Sequence, residues 1–390
     1  MSPAAPIRDE PSRAIYLDCA ATTPLDPRVE AELIRYLRED FGNAGSRTHV
    51  YGRAARRAVE RARDQVAAVV AARRGEVIFT SGATESNNLA LLGLEVFGRE
   101  HGRTHVVSSK IEHHAVLEPL SALEHRGFEV TLIEPEPGGW TDPRKMRDAV
   151  RDDTLLVSIM QVNNETGVLQ PVGEIADRLK DSEAFFHVDA AQGFGKELES
   201  LRSARVDLIS VSGHKLCAPK GVGALICRRR NGERPPLLPL LFGGGQELGV
   251  RPGTLPVALI VALGKAAELA VEERDERWRG ACEMRARILE GLGSLKPRVH
   301  GENERVFPYI LNLSFPGLDS ETVIEAWADL VAVSDGAACT SQSYTCSHVL
   351  SAMGLPEERL AGAVRLSWCH LSESPDTAAL VDALERRLET

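Results

Sequence analysis

VDLISVSGHKLCAPKGVGALICR, residues Val206 to Arg228, sets two apolar runs on either side of a turn that carries His214 and Lys215. Short β-rich runs that stop at Gly and polar residues read as buried strands. A lysine directly after such a strand is partly desolvated, which depresses its pKa and makes its amine a nucleophile for a carbonyl. The same Gly-rich turn also suits an ordinary exposed lysine, so the stretch needs its neighbours.

Upstream the pattern repeats. A helical spacing from Ala55 to Val69 precedes the strand Val77 to Thr80; strand-like THVVSS, FEVTLI, LLVSIM and FFHVD follow, separated by helices at 115–125 and 173–180. Alternating strands and amphipathic helices predict an α/β fold, a mostly parallel sheet covered on both faces, with ligands beyond the carboxyl ends of the strands. After Thr254 the texture changes to a long helical stretch to about Leu292. Strand-like YILNLSF, LVAVS and AVRLSW then alternate with helices, reading as a smaller α+β domain. The expected division is a large domain over 26–255 and a small one from 1–25 and 256–390.

Composition narrows the function classes. The 390 residues are 43% hydrophobic and 26% charged with a formal net charge of −10, which argues against a protein that tracks nucleic acid through its bulk field. The longest apolar runs, such as Val257 to Val261, are far too short for a bilayer span, and MSPAAPIRDEPSRA is too polar for a signal peptide, so a cytoplasmic location is expected. Seven scattered cysteines without a C-x-x-C pair indicate neither a disulfide framework nor a zinc knuckle, and no metal is expected.

The unusual residues sit in the loops that follow strands. SGATESNN (81–88) is a strand-to-helix turn fit for phosphate, though Thr84 also opens a T-x-x-N cap, and it lacks the nucleotide P-loop spacing. EHH (112–114) offers an imidazole for stacking on a cofactor ring or for proton transfer, and no further ligands stand at metal-site spacing. Asp189 in VDAAQG is placed to hold a ring-nitrogen proton, or to cap the next helix. Phosphate turn, imidazole, Asn, Asp-x-x-Gln and Lys in this order form the set that a pyridoxal phosphate site needs.

At this point the chain resembles the fold type I pyridoxal phosphate enzymes, and within them the cysteine desulfurases with an SSGSACTS-type loop. The resemblance runs through YLDCAATTPLDPRV, FGNAGSRTH, FTSGATESNNLA, EHHAV, VNNETG, HVDAAQ, SGHK, PKGVGAL, GGGQE, RPGTLP and SDGAACTS, and so spans nearly the whole chain. It implies a seven-stranded, mostly parallel sheet sandwiched by helices, and a homodimer. It also implies that Lys215 bonds the cofactor aldehyde, His113 stacks on the ring, Asp189 pairs with its nitrogen, and Asn164 and Gln192 lie at its hydroxyl.

The phosphate would be held by Ala83, Thr84, Ser212 and His214, with Thr254 arriving from the second subunit. Arg365 matches the clamp on the substrate carboxylate, where a bidentate fork suits the task, and Asn43 is expected in the same pocket. The implied reaction takes L-cysteine to L-alanine, leaving a persulfide on Cys339 that passes to a sulfur-acceptor protein.

Departures stand at Asp335, Ala337 and Ala338, where the family has serines, at Ala218, where it commonly has Gly, and at Trp368-Cys369-His370, where small and basic residues are usual. Cys346 falls outside the family motif. Two rival readings remain: a selenocysteine lyase or other C–S lyase that uses the lysine without a persulfide, and a catalytically silent scaffold. Family members feed iron–sulfur assembly, tRNA thiolation or DNA phosphorothioation, and the divergent SDGAACTSQSYTC loop suggests the last.

Overall fold

A computed structural model describes residues 14–301, 304–335 and 347–388. Cys339 and Cys346 lie outside the described residues. Twelve strands are present in these segments: β1 (Ile15–Tyr16), β2 (Val77–Thr80), β3 (His105–Ser109), β4 (Glu129–Ile133), β5 (Thr154–Met160), β6 (Phe185–Asp189), β7 (Leu208–Ser212), β8 (Gly223–Cys227), β9 (Arg298–Val299), β10 (Ile310–Ser314), β11 (Val331–Ala332) and β12 (Val364–Ser367).

Seven of them form the main sheet, in the order β2-β8-β7-β6-β5-β3-β4. β8 pairs antiparallel with both β2 and β7, while the β3, β4, β5, β6 and β7 pairings are parallel. Val206 to Arg228 therefore closes on itself as a hairpin, and the His-Lys turn lies at its bend. Strands β5, β6, β7 and β8 are buried along their whole length, as helices on both faces require.

One face packs on the helices Val50–Val69 and Val257–Glu272, whose buried stripes include Val59, Ala62, Val66, Ile260, Leu263 and Ala267. The other packs on the helices Ala83–Leu92 and His114–His125 through Leu89, Leu91, Val116 and Leu120. The long helical stretch after Thr254 is two helices, Val257–Glu272 and Arg274–Gly291, broken at Glu273. Glu273 leaves helical geometry there, with its carboxylate bound to Arg28 and Arg277.

A second core gathers around the three-stranded sheet β12-β10-β9, with Trp327, Phe307 and Trp368 fully buried. β1 pairs in parallel with β11, so the segment near the start of the chain joins this second body. Asp319 and Ser347 cap its short helices, accepting from Thr322 N (2.7 Å) and Leu350 N (3.1 Å). Most of the ion pairs lie on exposed surface and contribute little to stability.

Candidate active site

The carboxyl ends of β2, β5, β6 and β7 open on one cleft of about 560 Å³, lined among others by Ala83, Thr84, His113, Asn164, Asp189, Gln192, Ser212, His214, Lys215 and Arg365. Ten of the residues singled out from sequence are thus brought together. Asn43 and Thr254 are not. Within one protomer they line a second cleft of about 710 Å³ with Gln246 and Glu247.

β7 ends at Ser212, and a single tight turn then carries Lys215 away from the sheet. Its Nζ donates to the carbonyl oxygens of Ala20 and Ala21, the latter at 2.7 Å. The amine is held by neutral acceptors at the cleft wall. His214 Nδ1 lies 3.2 Å from Thr22 Oγ1, and burial pulls its pKa down to about 4, so it is neutral at physiological pH.

At the end of β6, Asp189 Oδ2 accepts from Asn87 Nδ2 at 2.8 Å and Oδ1 from the Ala191 backbone N–H at 3.0 Å. His113 caps the helix His114–His125, its Nδ1 accepting from Ala115 N at 3.0 Å, which leaves Nε2 as the protonated nitrogen. Burial lowers its pKa and Lys215 adds to the effect, while Asp189 opposes it. The imidazole is a neutral, flat surface, suited to stacking.

The phosphate-type turn has a different cap from the one the T-x-x-N pattern suggests. Gly82, not Thr84, is the N-cap, and Ala83 and Thr84 already belong to the first turn of Ala83–Leu92. Gly82 adopts φ 156, and the neighbouring strand position must also be glycine: a Cβ on Gly223 would lie 2.6 Å from Gly82 Cα and 2.3 Å from Val211 O. Gly82 brings no side-chain cap, so the first N–H groups of the helix face the cleft without one.

Arg365, on β12, is 2% exposed. Nη2 donates to Asp18 Oδ1 at 2.7 Å and Nη1 to the Asn164 carbonyl at 3.0 Å, while Nε has no partner among the described residues. Asp18 was not singled out from sequence, although it stands inside the YLDCAATT motif. Gln192 Nε2 donates to Ala20 O at 2.9 Å, turning its amide oxygen free for another group.

The family model for Aminotransferase class-V matches residues 15–380. Cysteine desulfurase IscS of Vibrio cholerae serotype O1 is 45% identical over 357 residues, 91% of this chain and 87% of that protein. The chain belongs to the pyridoxal phosphate-dependent cysteine desulfurases of that family.

Among solved structures, DndA from Streptomyces lividans superposes on the desulfurase with a TM-score of 0.80 at 49% identity, covering 92% of this chain and 99% of that one. SspA in complex with cysteine does so with a TM-score of 0.80 at 34% identity, covering 91% and 98%. The cleft of the desulfurase fits the cofactor on its own terms: a helix N-terminus without a side-chain cap, fit for a dianionic phosphate, lines the same cleft as a lysine and a buried aspartate. No helix among the described residues is long and apolar enough to cross a membrane.

Proposed function

We propose that the desulfurase converts L-cysteine to L-alanine, with Cys339 receiving the sulfur as a persulfide and passing it to an acceptor protein. The observation that carries this reading is the convergence of Lys215, Asp189, His113 and Arg365 on one cleft. Pyridoxal phosphate, when bound, supplies an electron sink for the substrate's α-carbon.

The chain's own residues do the rest. Ala83, Thr84, Ser212 and His214 hold the phosphate, Asp189 keeps the ring-nitrogen proton in place, and His113 covers the ring face. Asn164 and Gln192 serve the ring hydroxyl. Lys215 forms the covalent link and, once released by the substrate amine, is the base positioned to move the α-proton. Arg365 binds the substrate carboxylate through its fork, which requires the Asp18 pairing to yield or to be shared. The Cys339 thiolate attacks the substrate sulfur; the carbon–sulfur bond breaks, its electron pair stays with carbon, and that carbon takes a proton to become the methyl of alanine.

The working unit of this reading is a homodimer. Asn43 and Thr254 serve the partner's cleft, Thr254 at the phosphate. Support comes from the loop that leads to Thr254, where Leu240, Leu241 and Phe242 are exposed, Phe242 at 91%. Arg63 anchors the same loop through Glu247, whose Oε2 also accepts from Phe79 N at 2.6 Å. The large body spans 26–255 and the small one 1–25 with 256–390, and the protein acts in the cytoplasm. The SDGAACTSQSYTC loop favours an acceptor in DNA phosphorothioation.

The test is alanine and persulfide formation from L-cysteine by the purified dimer. Cys339→Ser is expected to abolish both, and Cys346→Ser to stay within a few-fold of the parent. Turnover surviving in Cys339→Ala would favour a C–S lyase without a relay. A protein lacking both the cofactor absorption band and alanine release would be a scaffold. Radiolabelled sulfur followed from the persulfide into candidate acceptors distinguishes the pathways.

A further inference from the structure

Cys19, Cys217 and Cys369 pack against one another in a small buried cluster behind the lysine cleft, at 1%, 4% and 6% exposure. They come from the segment after β1, the turn after β7 and the segment after β12. Sγ of Cys217, Sγ of Cys369 and a ring nitrogen of His370 lie within 4.8 Å of one another, and Cys19 packs against the two cysteines, with Ser372 Oγ 3.7 Å from its Sγ and 3.9 Å from that of Cys369. A tetrahedral ion with bonds of about 2.3 Å to sulfur spaces its thiolates roughly 3.8 Å apart, so small side-chain movements close the set.

His370 is held for this task. Its Nε2 is 3.1 Å from Asp26 Oδ2, which leaves Nδ1 for an ion in the carboxylate–histidine arrangement that supports metal-ligating imidazoles. Asp26 is itself held by Arg28, so its carboxyl stays well below the usual range.

Charge fits as well. Lys196 Nζ lies 5.7 Å and 5.4 Å from the ring centroids of Phe307 and Tyr309, with no carboxylate in ion-pair range among the described residues. Burial pulls its pKa down, and the neighbouring Cys217, Cys19 and Cys369 oppose that. Three thiolates and a divalent cation carry one net negative charge, which one ammonium offsets.

Backbone conformation gives a separate indication. Cys217 sits at φ 60, in the left-handed region where glycine or asparagine is at ease and a cysteine costs on the order of 1 kcal/mol.

We propose that Cys19, Cys217, Cys369 and His370 form a closed Cys3His site for one divalent d10 ion of the zinc class, with a structural role. On binding, the thiol protons pass to solvent and no oxidation state changes. The ion would tie together the segment whose Ala20 and Ala21 carbonyls hold Lys215, the turn that carries Lys215, and the body that carries Arg365. The site does not depend on the cofactor chemistry.

Cobalt(II) chloride is the probe, titrated into chelator-treated holoenzyme. The expected result is one cobalt per chain, with thiolate-to-metal charge-transfer absorption and visible tetrahedral bands, displaced by one equivalent of zinc. Cys369→Ser and Cys217→Ser should weaken binding more than tenfold, while Cys282→Ser and Cys339→Ser leave it unchanged. The proposal is overturned by the absence of tetrahedral bands, by bands that survive Cys369→Ser, or by bands lost in Cys339→Ser alone. If the cysteine variants do not fold, the wild-type melting midpoint decides: a zinc-dependent rise of several degrees supports the site, and no shift overturns it.

Discussion

The lysine cleft and the thiol cluster share two walls, the segment after β1 and the turn after β7, yet they are built from opposite kinds of group. On the cleft side, charged groups already have partners: Lys215 has the Ala20 and Ala21 carbonyls, Asp189 has Asn87, and Arg365 has Asp18. On the other side, soft sulfur atoms meet one another beside a cation that has no carboxylate in ion-pair range among the described residues. Partnered charges keep a polar site in its working geometry before a ligand arrives. One pair of chain segments thus serves a hard-donor site on one face and a soft-donor set on the other.

The comparison breaks most visibly at Lys215. Lys215→Ala should lower alanine formation on the order of a thousandfold or more, while cobalt binding at the thiol cluster stays at one per chain. Concurrent loss of the cobalt bands would show that the two sides fold as one unit rather than as back-to-back sites.

A smaller effect is expected at Arg365. Arg365→Lys keeps the charge but loses the fork, so kcat/KM for L-cysteine should fall roughly 10- to 100-fold, mostly through KM. Asp18→Asn removes a competitor for the same guanidinium and should lower KM several-fold. A raised KM in Asp18→Asn would instead make Asp18 the residue that positions the arginine.

The smallest effect concerns stability. Glu112 is fully buried beside Ser109, and burial raises its pKa from 4.5 to about 8. The folded chain therefore keeps a proton that the unfolded chain releases as pH rises above 4.5, and stability declines between about 4.5 and 8. Glu112→Gln removes that decline. Its melting midpoint should gain on the parent by a few degrees at pH 8 and by less at pH 5; a difference that is the same at both values would rule out the buried carboxyl as its origin.

Much of the fold was legible because buried strands and amphipathic helices leave periodic apolar patterns. The runs Phe185 to Asp189 and Leu155 to Met160 lie within strands, and the helix at 115–125 begins one residue earlier, at His114. Errors arose where local pattern and tertiary partner disagree. The break at Glu273 is invisible in a continuous helical pattern, and the partner that its carboxylate meets there, Arg28, lies 245 residues away in the chain. Thr84 reads as a cap, but the helix starts one residue before it and Gly82, at φ 156, takes the N-cap position.

The candidate site divides in the same way. Residues at the ends of successive strands were readable in order, because an α/β sheet converts sequence order into a shared edge. Asn43 and Thr254 fall on the second cleft, since their segments pack with Arg63, Glu247 and the helix Val50–Val69. Asp18 was missed because nothing local marks an aspartate that meets an arginine on β12.

The sequence by itself determined the alternation of strands and helices, the loops in which the reactive groups stand, and the lysine that follows β7. These depend on hydrophobic period and on chain order, both of which are local. Only the tertiary structure decided that Cys19, Cys217 and Cys369 meet, with His370 beside the last two, and that Arg365 rests against Asp18. Contacts between residues hundreds of positions apart are set by how the two bodies pack, and no spacing along the chain encodes that distance.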